Sequence, residues 1–322
     1  MSVIACSRKL TVWFEYGFFL ALQKNSNRWN ISNLLDATTW PGTQFIAVSV
    51  FTGNVVAILA DHRELWNFGQ KSSVVYYDSD SSNIFDVIPG SILETGCAAA
   101  FSPAKLNNSV YWLGQDERGN GVVWRAQGYT PERISNHSIE FFLQGYARID
   151  DAIGWSYQDQ GHMFYVLEFP TAGATWVFDA ATGMWHERAF WNTTTGQYQV
   201  WRPRYHQFVF GKHIVGDNGS ANLYQMSSTI YQDFGNPIRR LRRAPPVATE
   251  GEWIFHHRLR LLVEPGLGPQ PPLLDGAGNP RGPQINLRWS DDAGKTWSNE
   301  YARDAGKAGE FRKRIYWFPL IR

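Results

Sequence analysis

Along the chain, short apolar and aromatic runs alternate with polar or glycine-bearing gaps, and most of the runs come in pairs. Leu65-Trp66-Asn67-Phe68-Gly69 is followed by Val74-Val75-Tyr76-Tyr77, and Val110 to Gly114 by Val122 to Gln127. Met163 to Phe169 is followed in the same way by Thr175 to Asp179, and His213 to Gly216 by Leu223 to Met226. Each run has the length and the β-branched and aromatic content of a strand, and each gap holds turn formers, so each pair reads as a β-hairpin. The first strands begin at residues 65, 110, 163 and 213, at offsets of 45, 53 and 50, close to the roughly 40–50-residue period of propeller blades. The pattern predicts an all-β protein, a β-propeller-like array of antiparallel hairpins. Similarity between the units is weak, and stacked β-sandwiches are the alternative.

Two stretches depart from the hairpin pattern. After Ser135 and Asn136, which can cap, Ile139, Phe142, Leu143 and Tyr146 follow at i, i+3, i+4 and i+7, which predicts a short helix packed on a sheet. After Asp233 the composition shifts to GNPIRRLRRAPP, then to a strand-like Trp253 to Val263, then to EPGLGPQPPLLDGAGNPRGP. A boundary is expected there, with a propeller-like domain over 1–235 and a smaller C-terminal β domain over 236–322. The apolar run Thr11 to Leu22 is short, aromatic and interrupted by Glu15, so it reads as a buried strand pair and not as a membrane span.

Composition agrees. The 322 residues are 43% apolar, enough for a sizeable core, and 15 Trp with 29 Gly favour pleated strands and tight turns. The 30 basic and 29 acidic residues leave a formal charge of +1, so no global field draws the chain to nucleic acid or to an anionic membrane. Cys6 and Cys97 lack metal-ligand spacing, and such sparse cysteine suits a reducing compartment. Val3-Ile4-Ala5-Cys6 has the residues of a lipid-attachment box but not the apolar stretch expected ahead of one.

Candidate chemistry is sparse. Asp116, Glu117 and Arg118 lie side by side, as acid and base groups can, but Gln115 to Gly121 also has the polar groups of a surface loop, with Gly119 and Gly121 available for positive φ. The loop reading is preferred. Ser290 to Trp297, SDDAGKTW, fits S-x-D-x-G-x-T-W and resembles an Asp-box. In that motif Asp292 binds the turn backbone, Gly294 permits the bend and Trp297 packs beneath, with Ser290 and Thr296 as the other pattern positions. Because such turns recur in sialidases, a carbohydrate-binding or glycoside-hydrolysing propeller module is the alternative function, although no paired carboxylates or tyrosine nucleophile accompany the turn.

Arg239, Arg240, Arg242 and Arg243 form the densest basic run, suited to a protein interface or to phosphate. Adjacent His256 and His257 point to opposite faces of a strand and cannot share a metal. Asp217-Asn218-Gly219-Ser220 matches hairpin-turn chemistry, Asn-Gly supplying left-handed conformations. No phosphate loop, nucleophile elbow or zinc spacing occurs. No catalytic, cofactor-binding or metal-binding residue is therefore assigned. Trp112, Trp124, Trp176 and Trp297 are expected to be rigid packing elements.

The segment VYWLGQDERGNGVVWRAQGYTPERIS (110–135), with DHRELWNFG (61–69), GCAAAFSPAKLNNSVYWLG (96–114), RISNHSIE (133–140), NPIRRLRRAP (236–245) and LRWSDDAGKTWSNE (287–300), resembles the packaged-DNA-stabilisation or tail-hub protein of short-tailed bacteriophages. The likeness runs from about Asn30 onward. It implies a non-enzymatic virion protein of the tail, made in the host bacterial cytoplasm. It also implies a homo-oligomeric ring, a hexamer on the resemblance, beneath the portal and its adaptor. The implied partners are the adaptor or portal-side protein, the tail needle and the tailspikes, with DNA passing nearby and no membrane. The arginine run is the expected interface patch.

Overall fold

The computed structural model describes residues 12–79, 84–247, 254–268, 273–274 and 276–318. Cys6 and Trp253 lie outside them. The chain divides into two compact units, Met1–Arg239 and Arg240–Arg322.

The first unit opens with four antiparallel four-stranded meanders, each paired in sequence order. They are β1 (Val12–Glu15), β2 (Phe18–Leu22), β3 (Arg28–Ile31) and β4 (Phe45–Ala47); then β5 (Val55–Asp61), β6 (Glu64–Gly69), β7 (Ser73–Asp78) and β8 (Phe85–Val87). β9 (Ala104–Leu106), β10 (Ser109–Gln115), β11 (Gly121–Gln127) and β12 (Thr130–Arg133) make the third, followed by helix α1 (His137–Gln144). The fourth is β13 (Ile153–Asp159), β14 (His162–Phe169), β15 (Ala174–Asp179) and β16 (Met184–Glu187). Smaller sheets follow: β17 (Ala189–Asn192) with β18 (Gln197–Val200), then β19 (Pro203–Val209), β20 (Lys212–Asp217) and β21 (Leu223–Met226), then β22 (Gln232–Asp233) with β23 (Asn236–Pro237).

Three of the hairpins read from sequence are thus the inner strands of four-stranded blades, and the fourth, β20 with β21, ends a three-stranded sheet. Packing follows the two-residue period of a strand. On β10, Tyr111 and Leu113 enter the core shared with β14 and β15, whereas Val110 and Trp112 enter the core shared with β6 and β7. On β6, Leu65 likewise packs towards β2 and β3, and Trp66 and Phe68 pack the other way. Inner sheets covered on both faces by their sequence neighbours are the arrangement of a propeller-like array. Stacked sandwiches would leave each sheet one solvated face.

Several hairpins turn on two residues with positive φ, Tyr16-Gly17, Gln160-Gly161, Phe210-Gly211 and Asn107-Asn108 among them. This is the twist-matched geometry of tight hairpins. The helix is capped by Asn136, whose side chain accepts from the Ile139 N–H. Ser135 has another role: its hydroxyl accepts from the Val123 N–H and donates to Glu140 at 2.6 Å. Ile139 and Leu143 are buried, but Phe142 is largely exposed and Tyr146 lies past the helix end. The expected four-residue apolar face is therefore only half realised within the helix.

Three local expectations are corrected. Gly121 begins β11 in ordinary extended backbone, buried against Leu143 and Ile149, so only Gly119 takes positive φ in that loop. Asn218 and Gly219 have no left-handed conformation; their loop is held by Asp217, which accepts from Ser220, and by the Asn218 side chain, which donates to the Trp201 carbonyl. The strand expected over Trp253 to Val263 is only β24 (Leu259–Leu261), so His256 and His257 lie in irregular backbone and the strand-face argument does not apply to them.

The second unit holds β24, β25 (Leu273–Leu274), β26 (Pro280–Arg281), β27 (Gln284–Leu287), β28 (Tyr301–Asp304) and β29 (Ile315–Trp317). β24 pairs with β29 and β27 with β28, both antiparallel. Among the described residues no helix is long and apolar enough to cross a membrane.

Candidate interaction site: the arginine run and the Ser290–Trp297 turn

The turn joins β27 to β28 and is closed by its own side chains. The Asp292 carboxylate accepts from the Thr296 N–H at 2.8 Å, the Thr296 hydroxyl at 2.7 Å and the Ser290 hydroxyl at 2.7 Å. These bonds, the Thr296 amide foremost, hold its carboxyl at about 2. Gly294 sits at φ +92°, and its carbonyl accepts from the Trp297 indole N–H at 3.1 Å. A carboxylate so fully occupied is a poor proton acceptor at neutral pH; it serves as a clamp that presents Trp297. That indole is half-buried, not a core packing element.

Tertiary structure brings one member of the arginine run, Arg243, to this ring. The Arg243 guanidinium lies 4.8 Å from the Trp297 ring centre, and Arg288 lies 5.1 Å from the same ring. In the first unit, Arg239 lies 4.5 Å over Trp191. Arg240, Arg242 and Arg243 are exposed and Arg239 is partly buried; Arg242 donates to the Leu241 carbonyl. The four therefore do not share one partner. A guanidinium laid on an indole keeps its edge N–H groups available for carboxylate or phosphate, and stacking lowers the entropy lost on using them.

The Asp116 cluster is a turn. Its carboxylate accepts from the backbone N–H groups of Arg118 and Asn120 at 2.9 and 2.8 Å and from the Asn120 side-chain amide at 2.9 Å. The Asn120 amide leads in lowering its pKa. Burial pushes the Cys97 thiol up to about 11, and it donates to the Ala99 carbonyl, so it is an inert packing group. Among the described residues no group of three or more His, Cys, Asp and Glu is placed to hold a metal.

One cluster has no counterpart in the sequence reading. His206 and His213 share a 2.9 Å contact between ring nitrogens, with Trp155 stacked on His206 and Tyr157 against both. Arg188 lies over Phe164 and Trp201 and donates to the Tyr157 hydroxyl. Burial, and then the neighbouring His213, lowers the His206 pKa. These residues come from five separate segments, so only strand pairing assembles them. Nearby, Glu168 and Arg204 form a buried bidentate pair that ties β14 to β19.

Two family models match the chain in succession: bacteriophage P22 Gp10, beta-propeller, over residues 9–231, and bacteriophage P22 Gp10, beta-sandwich, over residues 239–322. The chain belongs to the bacteriophage P22 Gp10 family. Its fold is accordingly a β-propeller followed by a β-sandwich, and the match reaches further towards the start of the chain than Asn30. As a member of the P22 Gp10 family it is a structural phage protein, and its place is in the virion. A search of curated proteins found no match. Among solved structures, the chain is similar to the N-terminal domain of Nup159 at 10% identity and TM-score 0.35, over 75% of this chain and 65% of that one. It is also similar to TolB from Acinetobacter baumannii at 11% identity and TM-score 0.31, over 65% of this chain and 51% of that one. The chain spans less than two thirds of either structure, and at these scores neither likeness bears on function.

Proposed function

We propose that this protein is a tail-hub component that joins the portal and adaptor side of the virion to the tail needle and tailspikes and helps to retain packaged DNA. In this reading it acts as a ring of identical subunits and without catalysis. The observation that carries it is the succession of the two P22 Gp10 models, propeller then sandwich, along 9–231 and 239–322. The local chemistry is compatible: the acidic groups that stand out in the sequence, Asp116, Asp217 and Asp292, are all consumed in closing turns.

Arg239, Arg240, Arg242 and Arg243 are the proposed contact residues, two of them, Arg239 and Arg243, set against tryptophan rings. Reversing all four to Glu should abolish assembly while leaving far-ultraviolet circular dichroism unchanged; normal assembly of that variant would remove the patch from the proposal. The whole reading is tested by deleting the gene in the source phage. Heads that leak nuclease-sensitive DNA and lack tails support it. Tailed particles full of protected DNA would overturn it in favour of a carbohydrate-directed module.

A further inference from the structure

The near-neutral chain is not neutral unit by unit. Residues 240–322 carry 14 Lys and Arg against 9 Asp and Glu, a net +5 within a total of +1. Part of that charge is gathered around β29, from the β24–β29 sheet and from β28 of the neighbouring sheet. Ile315 and Trp317 on β29 are buried, so Tyr316 between them and Phe318 beyond point the other way. Arg260 on β24 sits directly opposite Tyr316 in the strand register. The guanidinium carbons of Arg258 and Arg260 lie 5.5 and 5.9 Å from the Tyr316 ring centre. From β28, Arg303 donates to the Tyr316 carbonyl at 3.0 Å. The Phe318 ring stacks on Tyr316 at 5.7 Å and 26° and is itself 60% exposed.

Among the described residues the nearby carboxylates are engaged elsewhere. Asp304, next along β28, is bound by Lys313 and by the Gly306 N–H, and Glu310 also pairs with Lys313. None of Arg258, Arg260 and Arg303 has a carboxylate within ion-pair distance among the described residues. Three exposed guanidiniums beside Tyr316, two at its ring and one at its carbonyl, repel each other, and a polyanion relieves that repulsion while releasing its counterions. Guanidinium forks match phosphate oxygens, and a flat exposed aromatic pair offers a π face to a base. Bases inside a duplex are already stacked and cannot lie on Phe318, whereas the bases of a single strand can.

We propose that this face of the second unit binds single-stranded nucleic acid, with phosphates on Arg258, Arg260 and Arg303 and a base on the Tyr316–Phe318 pair. Such binding holds whether or not the chain assembles into a ring.

The test is fluorescence anisotropy of a labelled oligothymidylate with the full-length protein across a salt series. Three phosphate contacts on a single strand predict a slope of log affinity against log salt of about −2. The R258Q/R260Q/R303Q variant should lose at least about tenfold in affinity and most of that slope, and F318A should lose about fivefold or more, the effect of one stacked base. Because Arg303 also supports backbone carbonyls, R258Q/R260Q serves as the second variant. It removes no backbone bond and should still weaken binding several-fold with an unchanged melting temperature. The proposal is overturned if the wild type fails to bind at low salt, or if R258Q/R260Q binds as well as wild type. Tighter binding of polyglutamate than of oligothymidylate would assign the face to an acidic protein instead. Equal binding of duplex DNA, insensitive to F318A, would refute the stacking.

Discussion

Gly154 is where the packing of successive sheets can be tested with one methyl group. Its backbone has no positive φ, so alanine is conformationally acceptable there, and the unfolded-state effect alone would stabilise by about 0.4–1 kcal/mol. Sterics decide otherwise. A Cβ at 154 would stand 2.0 Å from the Ser102 carbonyl oxygen and 2.8 Å from its carbon, both backbone atoms with no rotamer to yield. Relieving that overlap means parting two segments joined by the bond from the Gly154 N–H to the Phe101 carbonyl at 2.8 Å. The same movement disturbs the Ser102 carbonyl, which accepts from the buried Tyr165 hydroxyl at 2.8 Å, and the Ser102 hydroxyl, which accepts from the Leu113 N–H. Overpacking costs about 1–3 kcal/mol, and each buried polar group left unpaired costs about 1–3 more. With two groups affected and the small entropic gain subtracted, G154A should destabilise by about 2–8 kcal/mol. For a unit of this size that lowers the melting temperature by roughly 4 °C or more. Gly42, also without positive φ, has nothing within 4 Å of its virtual Cβ, so G42A is the matched control and should be neutral or slightly stabilising. Thermal unfolding followed by tryptophan fluorescence gives both values. A G154A melting temperature within about 2 °C of wild type would refute the close-approach argument.

Two further outcomes follow from single residues. Trp112 is fully buried beside Trp66 and Phe68 and donates to the Gly96 carbonyl at 3.1 Å, so W112A should cost about 3–5 kcal/mol in urea unfolding; a loss under about 1.5 kcal/mol would contradict its place in the core. Asp292 has a carboxyl depressed to about 2 from the ordinary 3.8, so its support of the turn is complete above pH 4 and fades as pH falls through about 2. The Thr296 amide, followed by NMR on acidification, should titrate with a midpoint near 2 and should not titrate in D292N; a midpoint near 3.8 would show that the clamp does not hold in solution.

How much of this was legible depends on how local the cause is. The hairpins around Leu65, Val110 and Met163 could be read because strand runs and turns are set by neighbours a few residues apart. Asp292 was legible for the same reason, since Ser290, Gly294 and Thr296 fall within the same turn. The tight turns at Tyr16-Gly17 and Phe210-Gly211 were harder, because the first position carries an aromatic where asparagine is usual, and strand pairing imposes the left-handed backbone. Gly121 and Gly219 show the converse: glycine permits positive φ but does not require it, and at Gly121 the space taken by Leu143 and Ile149 is what matters.

By itself, the chain's alternation of apolar runs and turns determined the all-β class, the blade-like spacing and the self-closing turns, since each is encoded by residues adjacent in sequence. Only the tertiary structure decided which side chains of distant segments meet. It set Arg243 and Arg288 on Trp297, gathered Arg258, Arg260 and Arg303 around Tyr316, joined His206 to His213, and pressed Gly154 against Ser102. Those meetings depend on strand register and sheet packing, where a shift of one residue sends a side chain to the opposite face, and no local pattern specifies that choice.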